Sequence, residues 1–75
     1  MTANFTAIYK KDGDWYLGTV AEIPGVNTQG RTLQEVRENL REALGLVLEA
    51  HRELAEQRLG AGSVTREPIS VELAA

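Results

Sequence analysis

From Leu33 onward the apolar residues Leu33, Val36, Leu40, Ala43, Leu44, Val47, Leu48, Ala50 and Leu54 recur at three- and four-residue steps, and charged residues fill the other side. That spacing predicts one amphipathic helix. Its start is marked by Thr32-Leu33-Gln34-Glu35, a capping box in which the Thr32 hydroxyl meets the Glu35 amide and the Glu35 side chain reaches back. No helix breaker follows until Gly60 apart from Gly45, which costs about 1 kcal/mol relative to alanine and whose small size allows close packing. A helix from Leu33 to about Arg58 spans roughly 39 Å, whereas a strand of eight residues covers only about 26 Å. The helix must overhang any sheet built by the residues before it. Leu54 and Leu59, in its last turns, then need cover from a second copy or another protein.

The residues before the helix read as strands. Asn4 to Lys10 alternates, with Phe5, Ala7 and Tyr9 on one face and Thr6, Ile8 and Lys10 on the other. Asp12-Gly13 then marks a hairpin, because both central positions of such a turn favour positive φ, and Trp15 to Glu22 forms the returning strand. With Asp12 and Gly13 at the centre, Tyr9 faces Tyr16, Ala7 faces Gly18 and Phe5 faces Val20. That face is the predicted core side. The opposite face carries Ile8, Trp15 and Leu17 beside Thr6 and Thr19, too apolar for a surface meant only to meet water. Ile23-Pro24-Gly25 ends the strand, Val26 to Gln29 makes a short third one, and Gly13, Gly25 and Gly30 are assigned turn roles. After the connector Gly60 to Thr65, Pro68 to Leu73 alternates as a closing strand. The expected architecture is a single α+β domain over residues 1–75, in the order β-β-β-α-β, with one sheet packed against one long helix.

Seventy-five residues leave no room for a second core. With no cysteine and one histidine, neither disulfides nor a multi-ligand metal site supplements that core, so self-association into a homodimer or higher homo-oligomer is expected. A net charge of −3 with scattered basic residues argues against a free-standing nucleic-acid binder. Neither a signal peptide nor an apolar run of about 20 residues is present, which makes a cytoplasmic protein the simplest expectation.

The run from Glu22 through Ile23-Pro24-Gly25 to Thr28-Gln29-Gly30-Arg31-Thr32 and on to Val36 resembles the signature of HicB-like antitoxins: a hairpin, an acidic residue beside an Ile-Pro-Gly or Leu-Pro-Gly, then Thr-x-Gly-x-Thr opening a helix. Phe5 with Ile8, and Asp12-Gly13 ahead of Trp15 and Tyr16, match the family's first hairpin, so the resemblance covers about residues 4–50. It implies a partial ribonuclease-H-like fold, no enzymatic activity of its own, and a small basic HicA-like toxin that cleaves messenger RNA as the partner to be neutralised. Many members continue into a C-terminal helix-turn-helix or ribbon-helix-helix domain. This sequence stops at Ala75, so direct DNA binding is not expected of it.

No catalytic, cofactor-binding or metal residues are assigned. Asp12, Asp14, Glu22 and His51 are the only candidates for an alternative reading as a small metal-dependent nuclease, and a single histidine cannot build a zinc site. An orphan structural or ligand-binding domain is the other alternative. The candidate partner or oligomer contacts are Ile8, Trp15 and Leu17 on the open sheet face, the Glu22-Ile23-Pro24 corner, and Leu54 and Leu59 on the helix end.

Overall fold

The computed structural model describes residues 4–60 and 62–72. Three strands, β1 (Ala7–Asp12), β2 (Trp15–Val20) and β3 (Asn27–Gly30), form an antiparallel sheet in the order β1-β2-β3, and one helix, α1 (Leu33–Leu59), follows. The fold class is the expected α+β, with one sheet against one long helix.

The hairpin turn differs from expectation by one residue. Asp12 pairs with Trp15, so the central residues are Gly13 and Asp14 rather than Asp12 and Gly13. Gly13 has φ +61°, and no described residue other than glycine has positive φ. Positive φ at the first central position alone is the type II′ pattern, which spares Asp12 the left-handed conformation that a type I′ turn would impose on it. Tyr9 therefore faces Gly18, Ala7 faces Val20 and Lys11 faces Tyr16. The ladder has moved by two residues, and an even shift leaves every side chain on its predicted face.

The core is small. Val20, Val26, Val36 and Leu40 are buried, and Tyr9, Ile23, Ala43, Leu44 and Val47 pack around the cluster. The helix begins as the sequence requires: the Glu35 amide donates to Thr32 Oγ1 at 3.1 Å, while Glu35 Oε2 accepts from the Arg31 amide at 3.3 Å, one residue earlier than the usual reciprocal bond. Asn39 ties the helix to β3 by donating from Nδ2 to the Gln29 carbonyl at 3.0 Å.

Two glycines set how closely helix and sheet approach. A Cβ on Gly18 would lie 3.0 Å from Val36 Cγ2, and one on Gly30 would lie 2.9 Å from the Val36 amide nitrogen. Gly30 is thus a contact residue under the first helical turn, not the turn glycine expected. Gly45 is the reverse case: beyond its own stretch of helix backbone no atom lies within 4 Å of a Cβ built there, so the close packing suggested for it does not occur among the described residues.

The closing strand expected over Pro68 to Leu73 is absent among the described residues, and Leu73 lies outside them. Ile69 and Val71 are 94% and 79% exposed. Alternation alone does not make a strand, because the segment must also lie alongside a sheet edge to pair with it. Here the tail instead meets the overhanging helix end, where Arg66 Nη2 lies 3.2 Å from Glu56 Oε1.

Gly30→Ala is expected to destabilise the protein by about 1–3 kcal/mol through overpacking against helix backbone, while Gly45→Ala should stabilise it by about 1 kcal/mol. Urea denaturation of both variants checks this. A neutral Gly30→Ala would show that the helix is not held at contact distance.

Candidate partner-binding surface

The helix packs on the inner face of the sheet, chiefly over β2 and β3, so the period of two along each strand fixes what the outer face carries. Ile8 and Lys10 project from β1, Trp15, Leu17 and Thr19 from β2, and Asn27 and Gln29 from β3, with Ile8 opposite Thr19 and Lys10 opposite Leu17. Ile8 is 51% exposed and Leu17 38%. Together with Lys10, Thr19 and Asn27 they line a shallow depression of about 360 Å³. Its floor is apolar and its rim polar.

Trp15 sits at one end of this face. The Arg31 guanidinium lies 4.4 Å from the centre of its ring, a cation–π contact of about 0.5–1 kcal/mol at an exposed site. Arg31 was not among the sequence candidates. Its position follows from the β2–β3 register: Tyr16 pairs with Gly30, so the next residue, Arg31, arrives opposite Trp15. That register was not derivable from the sequence pattern of so short a third strand.

The Glu22-Ile23-Pro24 corner divides its roles. The Glu22 carboxylate accepts from the Thr6 amide at 2.7 Å, and the Ala21 amide donates to the Thr6 carbonyl at 2.9 Å, so the corner secures the chain leading into β1. The hydrogen bond from Thr6 holds the Glu22 carboxyl below the usual carboxylate range. Ile23 packs against the core, and Pro24 is exposed. Leu54 and Leu59 are exposed on the overhanging end of the helix, which lies on the inner side of the sheet. The sequence candidates therefore fall on two separate surfaces.

The acids considered for metal chemistry do not converge. Asp12 and Asp14 lie at the hairpin turn and Glu22 follows the far end of β2, a separation of about 20 Å along a six-residue strand. Among the described residues no three His, Cys, Asp or Glu side chains are placed to hold a metal ion. His51 is exposed on the helix. No helix of the described residues is long and apolar enough to cross a membrane.

A hairpin, an edge strand and a capped helix with an open apolar outer face define a small sheet-and-helix domain. Residues 2–55 match the model of the UPF0150-like family, and the chain belongs to that family. A UPF0150 protein of Thermotoga maritima is 53% identical over 47 residues, which are 60% of this chain and 63% of that relative, so the match spans less than two thirds of the relative's length. A UPF0150 protein of Archaeoglobus fulgidus is 34% identical over 53 residues, covering 69% of this chain and 77% of the relative. No solved structure matches the chain.

Glu22 generates a pH test. Its carboxyl is more acidic in the folded state than in the unfolded chain, so its contribution is full above the ordinary carboxylate range and is lost as pH falls through the folded-state value. The stability difference between the native chain and Glu22→Gln should therefore shrink between pH 7 and pH 3 in thermal denaturation. A difference independent of pH would mean that the Thr6 contact does not depend on the charge.

Proposed function

We propose that this chain is an antitoxin-like protein-binding module that neutralises a HicA-type, messenger-RNA-cleaving toxin, using the outer sheet face as its contact surface. The observation that carries the reading is the contiguous exposed set Ile8, Leu17 and Trp15 on a sheet face that no part of the described chain covers. The residues that resemble the HicB signature, Glu22 to Val36, lie inside the stretch matched by the family model. They form the corner, the third strand and the helix cap, which are the parts that hold this face in place.

The chain's acidity suits a basic target in the encounter step, since net charge steers approach. The outer face itself carries Lys10 and Arg31, so affinity there rests on burial of Ile8, Leu17 and Trp15 rather than on paired charge. Trp15, already oriented by Arg31, loses little side-chain freedom on binding, which favours a hot-spot role.

The experiment is an RNA-cleavage assay with a purified HicA-type toxin from the same genome, titrated with this chain. Cleavage should stop at a fixed molar ratio, and Trp15→Ala should raise the required concentration by about 30-fold, the value of a 2 kcal/mol hot spot, while leaving the circular dichroism spectrum unchanged. Undiminished cleavage and no complex at high concentration would refute the proposal.

A further inference from the structure

The chain's net charge of −3 does not describe its outer sheet face. That face carries Lys10 and Arg31 against a single acid, Asp12, whereas Glu35, Glu38, Glu42, Glu49, Glu53 and Glu56 all lie on α1. Lys11 reaches the turn end of the sheet from the inner side, with its Nζ 5.9 Å from the centre of the Tyr16 ring. Arg31 and Lys11 meet at a depression of about 350 Å³, lined also by Tyr16, by Gly13 and Asp14 of the turn and by the first residues of the helix. It opens beside Trp15, at the edge of the apolar patch.

The fold holds Arg31 there at both ends of the residue. Its amide donates to Glu35 Oε2 at 3.3 Å, and its guanidinium lies 4.4 Å from the centre of the Trp15 ring. A guanidinium held over a ring keeps its N–H donors for another acceptor. Among the described residues the Arg31 side chain donates no hydrogen bond and forms no ion pair, and Lys11 forms none either. Asp14, the one acid at the depression, is therefore not their partner. An arginine already ordered by an aromatic ring loses less side-chain freedom on taking a ligand than a free one does.

We propose that this depression takes a carboxylate of the protein partner, an Asp or Glu side chain whose oxygens accept from Arg31 and Lys11 while neighbouring apolar residues of the partner pack on Ile8, Leu17 and Trp15. The inference rests on the partner-binding role proposed for the outer face and adds what the partner must carry there. The planar fork of Arg31 matches a carboxylate bidentately, and Lys11 adds a point charge beside it. A nucleic-acid phosphate is the poorer fit to the same cations, because a chain of net charge −3 repels a polyanion. Burial of the apolar residues supplies affinity, and the charge pair supplies selection: a partner with a cation at this point would meet Arg31 with like charge. A basic toxin must therefore present an acid here, which complementarity of the two net charges alone does not require.

The test is a double-mutant cycle on the full chain, with binding of the purified HicA-type toxin followed by titration calorimetry. Arg31→Gln should weaken binding at least about 10-fold and reduce its dependence on salt, and Arg31→Lys should recover part of the loss. In a Trp15→Ala background Arg31→Gln should still weaken binding several-fold, because the carboxylate contact does not pass through the ring. Replacing the toxin's surface Asp and Glu residues one at a time by Asn and Gln should find one whose loss matches that of Arg31→Gln and does not add to it. Arg31 is exposed, so an unchanged circular dichroism spectrum separates these effects from unfolding. A toxin that does not bind the native chain overturns the proposed function and this contact with it. Binding that is intact but indifferent to Arg31→Gln overturns the contact alone. So does a loss that vanishes in the Trp15→Ala background, since Arg31 then acts only by holding the ring, or a scan that finds no matching toxin acid. Binding of a short single-stranded RNA by the chain alone, lost in Arg31→Gln, also overturns it by making the ligand a phosphate.

Discussion

The contact on which the rest of the structure depends is that of Val36 with Gly18 and Gly30. Val36 is fully buried, its side chain lies over Gly18, and its backbone lies over Gly30. Two missing side chains in the sheet let the first turn of the helix sit directly on the strands, and the Thr32–Glu35 cap fixes where that turn begins. From there the helix direction is set over β2 and β3. Its length then does the rest: 27 residues make about 40 Å of helix, far more than strands of four to six residues can cover. The molecule accordingly measures 52 × 28 × 19 Å, with its core at one end.

This placement decides which surfaces stay open. Among the described residues, packing on the inner face of β2 and β3 leaves the outer face of the whole sheet, the inner side of β1 and much of the overhanging helix end open. A core of four buried aliphatic residues is little for a free-standing domain, and such chains commonly gain the remainder of their stability by association. The open surfaces differ in kind. The outer face is a flat apolar patch with a polar rim, suited to another folded protein. The inner side of β1 is a groove with Phe5, Ala7, Tyr9 and Leu44 in its walls and Arg37 and Arg41 beside them.

The parts legible in the sequence were those governed by periodicity and local chemistry. The helix and its capping box, the hairpin, the Pro24-Gly25 corner and the face on which Ile8 and Leu17 lie all follow from spacing within a few residues. Features that depend on the exact turn or on distant pairing were not legible. The turn centred one residue later because Gly13, not Asp12, is the residue that takes positive φ without strain. Arg31 reached Trp15 through a strand register that no local pattern encodes, and Gly30 proved to be a packing residue because its neighbour in space, Val36, is set by the helix cap. Pro68 to Glu72 carries a sound strand pattern, but a pattern does not name the edge that completes it. Of the contact residues proposed from the sequence, Ile8, Trp15 and Leu17 share the outer sheet face, Glu22 bonds to Thr6, Ile23 packs against the core, and Leu54 and Leu59 lie on a different surface.

The central claim is that the outer sheet face is where this chain meets a protein partner. The most direct measurement is nuclear magnetic resonance of the ¹⁵N-labelled chain titrated with an unlabelled HicA-type toxin. The account predicts that the amide signals of Ile8, Lys10, Leu17, Thr19 and Asn27 and the Trp15 indole shift together and saturate at one ratio, while those of the exposed helix positions Glu38, Glu42 and Glu49 stay in place. Shifts confined to the helix, with the sheet signals unmoved, would contradict it.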